Sequence, residues 1–431
     1  MKQIITLIVI ISLSLSAIAQ QDTLLYKYRR LAVDYQQQIK MAEHNLAGAE
    51  SMLEVAKSDF LPKFDFYGGY NYLGVPIQMA SAVDGQVGEE LQNIYSLDVA
   101  ITQPILTGGY LKNTRAAAES KADLMKSYIS LSKQEVMINS DIYYWNAVTK
   151  REISTILTEY RDAIGKFLEV IQDRVDEEVV GMNELYQAKV RYNDAEFAVL
   201  NADKKFMISV MELNRSTGIP IKTASEIADS LLVIEWASTE NNLKDKALEQ
   251  RPEISMLESQ ISMNEYHEKI TASKYNPKFG VGVGGNWGAP SPGLSTNPDF
   301  NFNIQAKVAI PIFYWGKKNE EVFASKQVTE ISKLEMQQTQ DMISLEVESS
   351  YYNLQQTQKQ LDFAYSSLDN ASQNVTVMLD RYFEGLSSVL EVLDAQLFWQ
   401  KSYLNYIQSK YNLNTAYSSY QKAMGELTTS K

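Results

Sequence analysis

The stretch KFGVGVGGNWG, residues 278–288, places Phe279, Val281 and Val283 on one parity and glycines mainly on the other. Its glycines also have the spacing of a dinucleotide-binding fingerprint, which has physical meaning only at a turn from a strand into a helix. The residues that follow, 286–298, are instead rich in proline and turn formers. The stretch therefore predicts a β-strand whose glycine face is crowded, as at a barrel interior. A nucleotide-dependent enzyme that binds its cofactor through Gly280 to Gly285 is the weaker alternative.

Three other stretches show the same period-two alternation, which gives a strand one apolar and one polar face. The four predicted strands are residues 64–73, 94–105, 278–287 and 300–312. Aromatic residues cluster near their ends, as in the girdles of outer-membrane barrels. A barrel needs about eight strands, and open edges cannot face lipid, so several copies must share one barrel. Two copies give eight strands and three give twelve, and the spacing does not choose between them.

An internal duplication organises the chain. RVDEEVVGMNELYQA (174–188) resembles RYFEGLSSVLEVLDA (381–395). Three pairs of equivalent residues share an offset of 207 positions: Pro104 and Pro311, Arg174 and Arg381, and Gly218 and Gly425. We therefore predict a first repeat over 20–218, a linker over 219–245 and a second repeat over 246–431.

Long helices fill most of each repeat, because proline is absent and glycine sparse over residues 110–175 and 317–382. At 1.5 Å per residue these two helices would each measure about 100 Å. Four shorter helices are predicted at 22–58, 184–216, 244–274 and 391–424. Along the predicted helices 184–216 and 391–424, large and small residues alternate at intervals of three and four, a pattern typical of knobs-into-holes packing. A periplasmic coiled-coil scaffold without a pore is the alternative, but it leaves the four strands unexplained.

The N-terminal segment, residues 1–19, has a positive end at Lys2, an apolar run and the small-residue sequence Ala17-Ile18-Ala19. These features predict a cleaved signal peptide and export from the cytoplasm. The apolar run is about a dozen residues, too short to span a bilayer comfortably. Any contact with a membrane must then involve another part of the chain.

The composition excludes several classes of function. The formal net charge is -13 and the sequence pI about 4.9, so nucleic acid is not an expected partner. The chain has no cysteine, and its two histidines, His44 and His267, are far apart in the sequence. We therefore expect no catalytic residues, no metal site and no cofactor.

The string Arg381 to Ala395, its first-half counterpart, the duplicated P-I-x-x-x-G turns and Arg251-Pro252-Glu253 together resemble the TolC family of outer-membrane ducts. The resemblance implies a homotrimer with a twelve-stranded barrel in the outer-membrane lipid, a long α-helical barrel in the periplasm and an equatorial collar. It also implies passive conduction in a tripartite efflux or type I secretion system. The partners would be a periplasmic adaptor (membrane fusion) protein and, through it, an inner-membrane transporter, and the sequence does not identify the cargo.

The same resemblance assigns a periplasmic gate. It places Glu391 and Asp394 in an acidic ring, Tyr382 at an aromatic lock position and Glu184 at the acidic position of the first hairpin. Rings of carboxylates in a narrow lumen repel one another and attract cations. The alternative is that these carboxylates only stabilise the start of a helix, where they favour the helix dipole.

Two positions depart from the family pattern. Ser387 stands where the best-studied members place a lock arginine, and Glu178 stands where a turn glycine is expected, so we expect Gly181 to relieve that turn. The resemblance also implies that small and apolar hairpin tips contact the adaptor, whereas the alternative is that turns are simply small and polar. The predicted contact residues are Val179, Val180, Gly181, Leu386, Ser387 and Ser388.

Overall fold

The computed structural model describes residues 23–78, 90–234, 242–290 and 297–429. The predicted signal peptide, residues 1–19, lies outside them, as does part of the predicted linker, residues 235–241. The chain divides into two units. The helical unit contains the described residues of Met1–Ala42, Tyr128–Ile254 and Thr339–Lys431, and the sheet unit contains those of Glu43–Ser127 and Ser255–Gln338.

The sheet unit contains one antiparallel sheet of four strands in the order β1-β2-β3-β4. The strands are β1 (Lys63–Gln78), β2 (Glu90–Leu106), β3 (Lys278–Ala289) and β4 (Asp299–Ala309). The four predicted strands are therefore present, and β2 of the first repeat pairs with β3 of the second. Strand β4 ends before the predicted residue 312, near Pro311, which has no backbone N–H for a strand ladder.

The strand register confirms the two faces of the sheet. One row across the four strands pairs Phe66 with Val99, Val99 with Gly285 and Gly285 with Phe302. The next row pairs Tyr67, Asp98, Asn286 and Asn301 in the same way. The amide of Asn286 donates a hydrogen bond of 2.5 Å to the Asp98 carboxylate on this second face. Because neighbouring rows point to opposite sides, one face is apolar and the other polar.

The glycines of β3 lie in the middle of a strand, so the nucleotide-loop interpretation is wrong. Long amide side chains of β4 cover two of them. A Cβ at Gly284 would lie 3.0 Å from Asn303 Oδ1, and one at Gly282 would lie 3.2 Å from Gln305 Nε2. The polar face is therefore crowded at β3, and glycine leaves space for the neighbouring amides.

Eight helices lie in the described part of the chain. They are α1 (23–35), α2 (Gln37–Ser58), α3 (Tyr110–Asp176), α4 (Met182–Thr217), α5 (Leu243–Gln250), α6 (Pro252–Ser273), α7 (Lys317–Phe383) and α8 (Val389–Ala423). Helices α3 and α7 have 67 residues each, which corresponds to about 100 Å. A membrane-crossing helix would need a longer apolar run than any found among these eight.

The helical stretches predicted over 22–58 and 244–274 are present, but each is divided into two helices, because the chain leaves the helical conformation at Gln36 and Arg251. Arg251 is extended, with φ -75° and ψ 124°. It precedes Pro252, whose ring disfavours a helical conformation in the preceding residue. The amide of Gln36 donates a hydrogen bond of 2.6 Å to the carbonyl of Ser216 near the end of α4.

Arg251 forms a similar contact in the second repeat. Its side chain is 5% exposed and donates hydrogen bonds to both Glu253 (2.7 Å) and Glu346 (2.8 Å). Its Nη1 also donates to the carbonyls of Lys422 and Ala423, each at 3.3 Å, at the end of α8. Ala423 is the counterpart of Ser216. At each break a side chain therefore binds the end of the helix that follows the hairpin turn: the amide of Gln36 binds α4, and the guanidinium of Arg251 binds α8.

The predicted seams are present on α4 and α8. Buried residues of α4 include Leu185, Ala188, Ala195, Val199, Ala202 and Leu213. Buried residues of the α8 seam include Val392, Ala395, Ser409, Leu413, Ala416 and Tyr420. Large and small side chains therefore alternate along both helices where they pack.

The turns that join α3 to α4 and α7 to α8 share one hydrogen-bond pattern. Val179 N–H donates to the Arg174 carbonyl at 2.8 Å, and Leu386 N–H donates to the Arg381 carbonyl at 2.7 Å. This pattern requires a left-handed residue just before the donor. Gly385 fills that position in the second turn with φ 75°, and Glu178 fills it in the first with φ 60°.

The expectation that Gly181 relieves the first turn is therefore wrong. Gly181 is extended, with φ -82° and ψ 153°, and serves as the N-cap of α4. Glu178 itself adopts the conformation that glycine adopts without steric cost.

We predict that Glu178→Gly raises the free energy of unfolding by about 1 kcal/mol, because it removes a left-handed non-glycine residue. Denaturant titration of the detergent-solubilised protein measures the change. Gly385→Ala, at the equivalent position, should lower the same quantity. A destabilising Glu178→Gly would show that the glutamate side chain contributes more than its backbone conformation costs.

We predict that Arg251→Ala lowers the free energy of unfolding by about 3 kcal/mol, because it leaves Glu253 and two helix-end carbonyls without their buried partner. The same titration measures the effect. Lys57→Ala is the control and should leave the transition unchanged, since among the described residues Lys57 pairs with Glu54 alone, in an exposed i,i+3 pair. Equal effects of the two substitutions would contradict a structural role for Arg251.

Candidate functional site

The candidate site is the end of the two helical hairpins, residues 174–191 and 381–394, here called the hairpin ends. Both belong to the helical unit. A buried cluster joins them, and its members come from α3, α4, α7 and α8. It includes Phe167, Ile171, Leu185, Tyr382, Val389, Val392 and Leu393. The structure therefore brings the hairpin ends of both repeats, which carry the predicted gate residues, into one region of the fold.

Tyr382 lies inside this cluster. Its side chain is 2% exposed, and its ring meets that of Phe167 edge-on at 5.0 Å between centroids. The guanidinium of Arg174 lies 4.5 Å from the centroid of the Tyr382 ring. Burial raises the pKa of the Tyr382 phenol, the guanidinium of Arg174 opposes this effect, and the nearby charge of Glu184 adds to it. The contacts of Tyr382 within one chain thus link the two hairpins.

Arg174 forms the polar part of the same link. Its Nη1 donates to the carbonyl of Tyr382 at 3.2 Å and its Nη2 to that of Phe383 at 3.4 Å. These are the last carbonyls of α7, where a cation also favours the helix dipole. Arg381, the counterpart of Arg174, instead donates to Leu386 in its own turn at 3.3 Å. The sequence marks both arginines but does not show that only the first reaches the other hairpin.

Glu391 forms a capping box at the start of α8. Its Oε2 accepts a hydrogen bond of 2.7 Å from Ser388 N–H and one of 3.0 Å from the Ser388 hydroxyl. The Ser388 hydroxyl in turn accepts from Glu391 N–H. These contacts agree with the alternative in which this carboxylate stabilises a helix start.

The backbone hydrogen bond from Ser388 lowers the pKa of Glu391, with the Ser388 hydroxyl as a further cause. A carboxylate whose pKa is lowered on folding stabilises the folded chain at pH values above its unfolded pKa, about 4.3. That stabilisation is lost as the pH falls through the lower, folded-state pKa. Glu391 is therefore ionised at neutral pH, and it remains exposed to solvent.

Asp394 pairs with a cation that the sequence analysis did not identify. Arg191 Nη2 of α4 donates to Asp394 Oδ1 at 3.2 Å, and the two side chains are 29% and 48% exposed. Such a half-exposed pair contributes little stability, but it joins α4 of the first hairpin to α8 of the second. Finding it requires knowing which faces of α4 and α8 meet, and one sequence does not give that register.

Ser387, the residue in place of the expected arginine, donates its hydroxyl to the carbonyl of Met378 at 3.1 Å. It therefore satisfies a carbonyl in the last turns of α7 rather than holding a carboxylate. Within the described residues, the cations that join the hairpin ends are Arg174 and Arg191.

The predicted adaptor-contact residues differ in exposure. Val179 and Leu386 are equivalent in the two repeats and are 63% and 62% exposed. Gly181 and Ser388, the two N-caps, are also exposed, whereas Val180 and Ser387 are partly buried. Each turn therefore presents one prominent apolar side chain.

Curated relatives span much or all of the chain. It is 20% identical over 446 residues to the outer membrane protein TolC of Escherichia coli (strain K12), covering 99% of this chain and 87% of the relative. It is 22% identical over 290 residues to the toxin and drug export protein A of Aggregatibacter actinomycetemcomitans. That match covers 62% of this chain, and the chain spans 63% of the length of that relative.

Solved outer-membrane channels share the fold. The CmeC channel of Campylobacter jejuni superposes with a TM-score of 0.77 at 19% identity, covering 94% of this chain and 87% of the other. The open-state MtrE channel of Neisseria gonorrhoeae gives a TM-score of 0.75 at 14% identity, covering 93% and 88%.

The family model described as outer membrane efflux protein matches residues 29–219 and 243–426. These two segments cover most of both repeats and contain both hairpin ends and all four strands. The chain therefore belongs to the outer membrane efflux protein family.

Proposed function

We propose that this chain is one subunit of a homotrimeric duct in the outer membrane. The duct conducts substrate passively to the exterior from an inner-membrane pump and its periplasmic adaptor, in tripartite efflux or type I secretion. The observation that carries the proposal is the four-stranded sheet, whose terminal strands β1 and β4 each have one partner among the described strands. An open edge in lipid leaves backbone groups unpaired, so the edges must meet those of other copies.

The two faces of the sheet fit a pore wall. The apolar face is widely exposed in one chain, for example at Phe302 (67%) and Ile304 (76%), and suits contact with lipid. The polar face, with Asp98, Asn286 and Asn303, suits a water-filled lumen. A pore-free coiled-coil scaffold gives neither face a role. Three copies would supply twelve strands, and the predicted signal peptide would deliver each copy across the inner membrane.

The hairpin ends are proposed as the periplasmic gate, formed by Glu184, Tyr382, Glu391 and Asp394. In a threefold assembly each carboxylate would be repeated around the axis, where like charges repel and attract cations. Opening would rotate the hairpins and break contacts between them. The Arg191–Asp394 pair and the Arg174 contacts are then the restraints that opening must release.

The adaptor is proposed to dock on the two turns. The contact residues are Val179, Val180, Gly181, Leu386, Ser387 and Ser388. The exposed side chains of Val179 and Leu386 are the apolar elements of this surface. Three copies would present six such turns, and this repetition would raise the avidity of a ring-shaped partner.

We predict that Asp394→Ala and Arg191→Ala each raise single-channel conductance in planar bilayers, because either removes the pair that joins α4 to α8. The double variant should conduct like Asp394→Ala, since loss of Arg191 removes nothing further once its partner is gone. Additive effects of the two substitutions would show that they act on the gate separately.

Two substitutions distinguish a role of Glu391 in an acidic ring from a role in helix capping. Glu391→Gln removes the charge but keeps a side chain that completes the capping box, whereas Glu391→Ala removes both. If the charge belongs to an acidic ring, Glu391→Gln should weaken block by divalent cations as much as Glu391→Ala. A change in Glu391→Ala alone would assign the residue to helix capping.

We predict that native mass spectrometry of the detergent-solubilised protein shows three copies, the number that the family resemblance implies, since three copies of four strands would close a barrel of twelve. The same preparation should form ion-conducting pores in planar bilayers. A single-copy species without conductance would contradict the proposed function.

A further inference from the structure

A cleft of about 490 Å³ lies in the helical unit, between α3, α4 and α8. Two lysines line it, Lys150 on α3 and Lys205 on α4. The other lining residues are Ile153, Leu157, Phe197, Ala198, Asn201, Ala202, Gln400, Leu404 and Gln408. None of these residues belongs to the proposed gate or to the adaptor surface.

No carboxylate among the described residues neutralises the lysines of this cleft. In the described part of the chain, neither ammonium group forms an ion pair. Lys410, a buried lysine nearby on α8, is by contrast paired with Glu152. Lys150 is partly buried. Burial lowers its pKa, and the charge of Lys205 lowers it further.

The two lysines destabilise the folded chain when no ligand is bound, because two positive charges face the same cleft and one of them is partly removed from water. Such a pair is also unusual in a chain whose formal net charge is -13. An anion between the two ammonium groups would relieve both effects, and charge-assisted hydrogen bonds are the stronger kind.

The walls of the cleft are largely apolar, so a ligand must also carry an apolar part. Ile153, Leu157 and Leu404 line the cleft together with the exposed ring of Phe197. Amides of Asn201 and Gln400 supply neutral polar groups at the same surface. A cleft of this volume suits a small molecule, and apolar walls with a few convergent polar groups are typical of such sites.

The length of the cleft limits its occupant. Gln400, Leu404 and Gln408 succeed one another at intervals of four residues along α8, which corresponds to about 12 Å. This is the length of a medium-chain amphiphile rather than of a protein helix. In the second repeat the counterparts of Lys150 and Lys205 are Thr357 and Asn412, so the cationic pair occurs once per chain.

We propose that this cleft binds an amphipathic organic anion. Its carboxylate, sulfonate or phosphate group lies between Lys150 and Lys205, and its apolar body lies along Leu404 and Phe197. The site does not depend on the proposed conduction, because it is built within one chain and away from the hairpin ends.

The test uses the full-length protein in a non-ionic detergent, with octanoate as the probe and octanamide as its neutral match. Lysines are acetylated with a water-soluble reagent, and peptide mass spectrometry gives the rate at each site. Octanoate should slow acetylation of Lys150 and Lys205, whereas octanamide should not. Lys189, an exposed lysine on α4 that does not line the cleft, should react at the same rate throughout.

A variant tests whether both lysines hold one ligand. Lys205→Gln should raise the octanoate concentration that half-protects Lys150 about tenfold, the effect of losing one charge-assisted contact. Lys189→Gln is the matched control on the same helix and should leave that concentration unchanged. Lys205 is exposed, so its substitution preserves the fold.

Several results would overturn the proposal. Equal protection by octanoate and octanamide would show apolar binding without recognition of charge, and protection of Lys189 would show non-specific association. If neither cleft lysine reacts even without a probe, a neighbouring subunit covers the cleft in the assembly. None of these outcomes would change the conductance or the copy number, so failure here is distinct from failure of the proposed duct.

Discussion

Backbone hydrogen bonding at the edges of a four-stranded sheet is the constraint on which the rest depends. Strands β1 and β4 are the terminal strands, and each has one neighbour within the described chain. An apolar face that suits lipid cannot coexist there with unpaired amides, because the hydrocarbon offers no hydrogen-bond partner. Sharing edges between copies resolves this conflict. The proposed pore follows from the small number of strands in each chain as much as from their composition.

The duplicated sequence builds matching elements, and single differences between the repeats give them separate roles. Arg174 reaches the end of α7, whereas Arg381 remains in its own turn. The α8 N-cap, Ser388, completes a capping box, whereas the α4 N-cap is Gly181, which has no side-chain hydrogen bond. The hairpins are therefore pseudo-equivalent in backbone but not in their contacts. The first supplies cations to the second, and the second carries the carboxylate and carbonyls that accept them.

The sequence predicted features that depend on local periodicity and failed where tertiary register decides. Alternation identified the faces of the strands, and the absence of proline identified α3 and α7. Pro252 carried a local signal for the helix break at Arg251 that was missed, whereas the break at Gln36 has no such signal. The Arg191–Asp394 pair was missed because two helix faces must be aligned before a contact across them is visible. The left-handed conformation of Glu178 was not expected, because Gly181 lies nearby and glycine adopts that conformation at a lower steric cost.

The glycine-rich β3 has a mechanical consequence. Gly282 and Gly284 have no side chains on the face where the amides of Gln305 and Asn303 lie, so no side chain of β3 opposes bending of the sheet at these two positions. Designed sheets are bent deliberately at glycine kinks for the same reason. Curvature is therefore easiest to concentrate at β3, in the second repeat, and in the proposed shared barrel this would give the wall unequal stiffness around its circumference. Each subunit would contribute one such flexible line.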